Sequence, residues 1–454
     1  MYGILSITGA AWLFALLLLP LLAFFAGCAA FNLRLVLAAI PARRGRASRK
    51  GAKAQRRKEE KGREGEGERG NRKERSRFLV LIPAHDEELL LGDTLTSLAA
   101  MDYPRDAYDV LVVADNCTDR TAEIARESGA MVLERHDTSH IGKGYALNYA
   151  LQYLSSSFVP LPSLCAFAPL REAPAFSAAG GRSAFSAVVL LDADTLVQPN
   201  LLSLFAEGLA RGEKAQQACY QVRNPDAGWR TRLLTCALAL IHVAKPLGRE
   251  HLQLSDSLKG NGMCFAWEVA ERIPWNGDAL AEDLDYTLRL VGEGIRVAFR
   301  PETAVYAAMP GSSNSAATQR RRWEAGRWQV LRKAPTLLRE GIRTRNRLLT
   351  DRALDLFVPP FAERFAACLA LALLAAMTAH FTRIPLAALC TGGFLAIIGI
   401  EIITLAIALR IARVPRSAVL ALLFAPVYLL WKFGLLVGLA TRRTALRWQR
   451  TERT

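Results

Sequence analysis

No two of the eight cysteines in this 454-residue chain form a C-x-x-C pair. They are scattered at positions 28, 117, 165, 219, 236, 264, 368 and 390, three of them in or near apolar stretches. That pattern excludes the common structural zinc sites and a disulfide framework, and it suits a reducing, cytosolic setting for the central part of the chain. Two other absences are local. Ile4 to Phe31 carries no charge over about 28 residues, too long and too apolar for a signal-peptide core. Residues 1–40 are therefore expected to hold one transmembrane helix, with Pro20 as a candidate kink. Residues 41–77 have almost no large apolar side chains. They hold 16 Lys and Arg against 6 Asp and Glu, +10 of the chain's net +16. Such a segment cannot bury a core and is expected to be a disordered basic linker. Because it directly follows an apolar span, its charge is read as topogenic and lipid-facing on the cytoplasmic side. Nucleic acid is not expected as a partner.

Beyond the linker the pattern changes. Phe78–Ile82, Val110–Ala114 and Val188–Leu191 are short, continuous apolar runs, the mark of strands buried on both faces. Helix-like stretches at about 87–101, 119–129 and 145–154 alternate with them, which predicts β-α-β units and an α/β domain over 78–335. Residues 155–187, rich in Ser, Ala and Pro, are expected to be an inserted surface loop. An interfacial segment is expected at 336–356, and two or three transmembrane helices at 357–440. Three crossings there would put the C-terminus outside, yet the 441–454 tail is basic and should be cytoplasmic, so one of the three is expected not to cross.

Ligands of open α/β sheets bind beyond the carboxyl ends of the strands. The first run ends in Pro83-Ala84-His85-Asp86-Glu87, the second in Asp115-Asn116-Cys117-Thr118-Asp119, the third in Asp192-Ala193-Asp194. One acid in such a place is usually a helix cap, and Asp119 before Thr121 fits that reading. Three strand ends carrying polar groups suggest one crevice. Asp192 and Asp194, one residue apart at a turn, offer the oxygen ligands that a hard divalent cation with bound phosphate takes. Gly142-Lys143-Gly144 opens a helix, where Lys143 and backbone N–H groups could meet a phosphate. Glu282-Asp283 starts another helix. Acids there commonly compensate the helix dipole, but a carboxylate so fixed could also take a proton from an attacking hydroxyl. The nearby Gly260–Cys264 turn would let a substrate approach the backbone at Gly262. Gln319, Arg322, Trp323 and Gly326 fall at i, i+3, i+4 and i+7, one helical face on which Arg322 could stabilise a departing diphosphate and Trp323 could floor an acceptor site.

Taken together, these ordered motifs resemble the family 2 glycosyltransferases of GT-A fold. The resemblance is to their membrane-integrated branch, which includes cellulose, hyaluronan and poly-N-acetylglucosamine synthases. It covers about residues 78–330 and implies a Rossmann-like, mostly parallel nucleotide-binding sheet in a cytosolic domain flanked by transmembrane helices. It implies uridine contacts from Pro83, His85, Glu87 and Asp115, and Mg²⁺ or Mn²⁺ held with a UDP diphosphate by Asp192 and Asp194. Asp283 would be the general base, and Gln319, Arg322 and Trp323 would match the family's Q-x-x-R-W. The tail Trp448-Gln449-Arg450-Thr451 resembles a tryptophan-basic motif of some relatives. Ala114 and Ala281 depart from the family pattern, where an acid and a threonine are frequent, and His85 stands where an aromatic or hydroxyl residue is common.

The function so implied is a multi-pass plasma- or inner-membrane enzyme with a cytoplasmic catalytic domain. It would move a sugar, with inversion, from a UDP-sugar to a growing polysaccharide or oligosaccharide. The alternative is a single addition to a lipid acceptor. Three or four spans are few for a polymer channel, so polymer synthesis would call for a homodimer or a partner subunit. A catalytically inert membrane scaffold is the reading from another class, and intact Asp192, Asp194, Asp283 and Arg322 argue against it.

Overall fold

The computed structural model describes residues 2–61, 75–156, 185–309 and 313–441. Most of the expected insertion and the basic tail, with its Trp448–Thr451 motif, lie outside these. The described residues divide into two compact units. One holds the chain up to residue 49, residues 228–252 and the chain from 355 onward; the other holds the rest.

The second unit is built on one eight-stranded sheet: β1 (Phe78–Ala84), β2 (Tyr108–Asp115), β3 (Met131–Arg135), β4 (Ala187–Leu190), β5 (Thr195–Val197), β6 (Ala215–Val222), β7 (Met263–Ala266) and β8 (Val297–Ala307). Their order is β3-β2-β1-β4-β7-β6-β8-β5. The strands from β3 to β4 are mutually parallel. Beyond them β7 is antiparallel to both neighbours, β6 and β8 are parallel, and β5 is antiparallel to β8. The expected mostly parallel sheet is parallel throughout its first half and mixed in its second.

The unbroken apolar runs now have a cause. Phe78, Val80 and Ile82 enter one core with Leu91, Leu95 and Phe205. Leu79 and Leu81 enter another with Ala146, Leu147 and Trp267. A strand covered by helices on both faces has no polar side to show.

The N-terminal helix, Tyr2–Lys61, begins in the first unit and runs well into the expected linker. Its last stretch is rich in Lys, Arg, Glu and Ala, good helix formers that need no core. Among the described residues, four helical stretches are long and apolar enough to cross a membrane: Gly9–Pro41, Phe361–Thr382, Pro385–Ala412 and Arg416–Gly434. The last is broken, with helix Arg416–Leu420, a 3₁₀ turn at Ala421–Phe424 and a further helix from Ala425. Small residues let these helices approach closely. Ala29, Ala372, Ala375 and Cys390 pack with Phe25 and Phe394.

Residues 228–252 fall inside the sequence range 78–335 but pack with these helices. They comprise helix Trp229–Leu238, a π-helical turn Ala239–Ala244 and helix Lys245–His251. The Trp229 ring stacks on Phe424 with centroids 5.6 Å apart, and Cys236 Sγ lies 3.3 Å from the Ala418 carbonyl. At Gly248 a Cβ would sit 1.8 Å from the Leu35 carbonyl oxygen, so only glycine permits that crossing.

Buried charge in the apolar helices is paired. Arg364 donates from Nε and Nη2 to the two Glu401 oxygens at 2.9 and 2.8 Å, both side chains almost fully buried. Lys432, in the last apolar segment, meets Glu363 at 2.6 Å. Breaking a buried pair strands its partner, whereas replacing both with apolar side chains need not. Arg364→Ala should therefore cost roughly 3–5 kcal/mol, and Arg364→Met with Glu401→Leu much less. Thermal unfolding of the three proteins in detergent checks this; equal losses would contradict it.

Candidate active site

The ends of β1, β2 and β3 form one side of the crevice. His85 Nδ1 lies 2.7 Å from the Asp115 carbonyl oxygen. The Glu87 amide N–H donates to Thr121 Oγ1 at 2.8 Å. Asp86, held at φ +52°, accepts the Thr118 N–H at 2.6 Å. These bonds lace the two turns together and set His85 above the end of β2. Pro83 remains within β1, paired with Val113.

The carboxylate of Asp115 faces Arg135, whose Nη1 donates to it at 2.6 Å, and both are buried. Burial raises the carboxyl of Asp115 even against the pull of Arg135. Arg135 also reaches Asp137 at 2.9 Å and the His140 carbonyl at 2.8 Å. Asp115 thus comes with a fixed cation that sequence reading missed.

Asp86, Cys117 and Asp119 place one potential ligand atom each within 4.8 Å of one another. The donor set suits an ion poorly. Thr118 and Glu88 donate backbone N–H groups to the two carboxylates. Burial pushes the Cys117 thiol up to about 11, which keeps it protonated and a weak ligand at neutral pH.

The other side of the crevice centres on Lys143, at the start of helix Lys143–Ser156. Its ammonium meets Asp192 Oδ1 at 2.5 Å and donates to the Gly260 carbonyl. Burial pushes this ammonium down, but Asp192, Glu282 and Asp283 outweigh it and the net shift is up. Asp192 and Asp194 follow β4, with Asp194 buried. A cation drawn onto Asp192 and a backbone carbonyl shows what this corner favours. Asp192 Oδ1 and the Gly260 carbonyl are hard oxygen donors of the kind Mg²⁺ or Mn²⁺ takes.

Asp283 is the second residue of helix Glu282–Gly292 and accepts the Leu284 N–H at 2.8 Å. A Cβ on Gly260, which has φ +75°, would lie 3.6 Å from Asp283 Oδ2, so the glycine turn and this acid are neighbours. Burial, then the charge of Glu282, lifts the Asp283 carboxyl to about 6. Such a value suits a general base working near neutral pH. Asp285, two residues on, faces elsewhere. It holds Lys333 at 2.9 Å beside a separate cavity of about 500 Å³ that Leu288, Arg289 and Leu337 also line. None of the expected site residues lines that cavity.

Helix Ser313–Leu331 carries Gln319 and Arg322, both partly buried, and Trp323, 37% exposed with Arg320 over its ring at 5.3 Å. One turn on, Gly326 packs against the residues before Glu282. A Cβ there would lie 2.7 Å from that of Ala281. Gln329 Oε1 accepts the Leu280 N–H at 3.2 Å. The tryptophan-basic helix is thus seated at the start of the helix that carries Asp283.

Gly262 sits differently from the expected acceptor contact. It is buried at φ +68°, and a Cβ there would lie 2.7 Å from Val305 Cγ2. Its N–H donates to Leu190 and its carbonyl accepts from Ala218. Those contacts are packing inside the sheet.

Carboxylates thus gather around the Lys143 ammonium at the strand ends of an α/β sheet, with Asp283 alongside. The family model described as "Glycosyltransferase like family 2" matches residues 76–326, more than half of the chain, and the chain belongs to that family. The sheet described above is its GT-A fold, accompanied by four apolar helices of membrane-spanning length. Among curated relatives, the chain is 26% identical over 274 residues to the probable glycosyltransferase YdaM of Bacillus subtilis, covering 58% of each chain. It is 26% identical over 220 residues to a beta-monoglucosyldiacylglycerol synthase of Nostoc sp., covering 46% of this chain and 40% of that one. The chain thus spans under two thirds of the length of either. Among solved structures it is similar to the mannosyltransferase PcManGT of Pyrobaculum calidifontis, at 20% identity and a TM-score of 0.43, covering 82% of this chain and 99% of that one.

The raised Asp283 carboxyl sets a pH dependence. A base must be ionised, so kcat/KM should climb as pH rises through about 6 and level off above it. The same shift means that ionising Asp283 costs the folded state stability between its ordinary 3.8 and about 6, a cost fully present above that range. Asp283→Asn should therefore abolish transfer, raise the Tm by about 2–4 °C at pH 8, and change it little near pH 3.5. A Tm gain at acid pH alone would reverse the sign and refute the assignment.

Proposed function

We propose that the protein is a metal-dependent, inverting glycosyltransferase that moves a sugar from a UDP-sugar to an acceptor at the membrane surface. The observation that carries this reading is the Lys143–Asp192–Gly260 contact beside Asp283, where the first would receive a diphosphate and the second would act as base. His85, Glu87 and Asp115 with Arg135 would receive the nucleoside. Asp192 and Asp194 would hold Mg²⁺ or Mn²⁺, which when bound supplies positive charge to the diphosphate. Asp283 takes the proton of the acceptor hydroxyl as its oxygen bonds to the sugar C1. The bond from C1 to the diphosphate breaks in the same step, and UDP leaves. Lys143, Gln319 and Arg322 neutralise the departing charge, and Trp323 supports the acceptor. One base and one displacement give inversion.

Of the two acceptors, the lipid is favoured. The chain has membrane-length helices, and relatives from Nostoc and Synechocystis are named for a glucosyldiacylglycerol product. The Gln319-x-x-Arg322-Trp323 spacing supports the second reading, extension of a polysaccharide, which would need a second copy or a partner subunit to enclose a channel. The chain is read as lying in the plasma or inner membrane, with the sheet unit and the basic end of the N-terminal helix on the cytoplasmic side.

Purified membranes should release UDP, with Mn²⁺ or Mg²⁺ present, from one of UDP-glucose, UDP-N-acetylglucosamine, UDP-galactose or UDP-glucuronate. Addition of diacylglycerol should yield one chloroform-soluble product. A ladder of sizes would move the assignment to polymer synthesis, and no release from any donor would end the transferase reading. Asp194→Ala should lower metal-dependent UDP binding at least tenfold by calorimetry.

A further inference from the structure

Asn261 joins the two halves of the diphosphate corner through one side chain. It is fully buried, as is Thr195. Its Oδ1 accepts the backbone N–H of Asp192 at 3.2 Å, and its Nδ2 donates to Thr195 Oγ1 at 2.7 Å. Because a backbone N–H can only donate, the oxygen must face Asp192, and the amide orientation follows. One side-chain amide therefore grips both ends of the Asp192–Thr195 turn that carries the two carboxylates. The backbone of Asn261 is fixed as well, since Gln217 Nε2 donates to its carbonyl at 2.8 Å and Gln217 Oε1 accepts the Lys259 N–H at 3.0 Å. On either side stand Gly260 and Gly262 at φ +75° and +68°, a doubly left-handed path that other residues would strain to follow. That path turns the Gly260 carbonyl to Lys143 and brings its Cα beside Asp283.

We infer that Asn261 is a positioning residue that sets the distance between the Asp192–Asp194 turn on the donor side and the base receiving the acceptor proton. It touches neither reactant. It acts by locking the carboxylate turn to the glycine turn, so that donor C1 and acceptor oxygen meet in reacting geometry. A misplacement of about 1 Å can cost on the order of 100-fold in rate while binding survives. The inference rests on the transferase reading above.

The test compares wild type, Asn261→Ala and Asn346→Ala. Asn346 is also tied by side-chain bonds, to the Val291 carbonyl at 2.7 Å and from the Leu349 N–H at 3.0 Å, and lies outside the site. Each protein is assayed for kcat, donor KM, UDP affinity by calorimetry with Mn²⁺, and Tm. Asn261→Ala should lose about 100-fold in kcat with UDP affinity within threefold of wild type. Asn346→Ala should lose comparable Tm and keep kcat. If Asn261→Ala fails to fold, Thr195→Val removes one of the two bonds at constant shape, and a kcat loss of about fivefold or more with UDP affinity kept supports the inference. An active wild type with Asn261→Ala (or Thr195→Val in its place) within threefold in kcat overturns it. So does a parallel fall of kcat and UDP affinity. A wild type that releases UDP from no donor overturns the transferase reading, and this inference with it.

Discussion

The ammonium of Lys143 is the constraint around which the site is arranged. It is enclosed among Asp192, Glu282, Asp283 and the Gly260 carbonyl, and it stays charged there because those groups outweigh the cost of burial. Three acids crowded into one corner would otherwise repel each other and draw protons. The lysine limits the rise of Asp283, leaving it titrating near neutral pH rather than locked in its acid form. A ligand that brings charge to Asp192 also alters the field at Asp283.

Backbone geometry makes that crowding attainable. The parallel half of the sheet brings the ends of β1, β2 and β4 to one edge. From its antiparallel neighbour β7, the glycine turn reaches back to the same edge. The tryptophan-basic helix comes close only because Gly326 and Ala281 are both small. Ala281 thus has a packing role against that helix.

The parts of this arrangement that could be read from sequence were those with a period or a terminus. β1, β2 and β4 stood out because strands buried on both faces are apolar without interruption, and their terminal acids followed. The later strands did not. β6 carries Gln216 and Gln217, which are fully buried and bonded within the fold, so its sequence Ala-Gln-Gln-Ala looks like no strand core. β3 is five residues long and ends in the arginine that pairs with Asp115. Charges whose partners lie far along the chain resist reading for the same reason. Arg135 as a companion of Asp115, or Glu401 as a companion of Arg364, becomes visible only when topology brings them together. Asn261 was in view as part of a glycine turn, but its role depends on Asp192 and Thr195, some 66 residues away at the latter.

The detour of residues 228–252 carries a consequence for biosynthesis. β6 precedes it and β7 follows it, and the two are neighbours in the sheet. The partners of the detour, among them Ala418 and Phe424, emerge from the ribosome well over a hundred residues later. A chain synthesised from its N-terminus must therefore hold a half-sheathed apolar segment until its last helices appear. Maturation of the sheet unit is coupled in time to completion of the helical one. Truncation before residue 357 would leave Trp229 and Cys236 without the surfaces they cover, so chaperone dependence and poor yield are the expected behaviour of a catalytic fragment cut at the apparent membrane boundary.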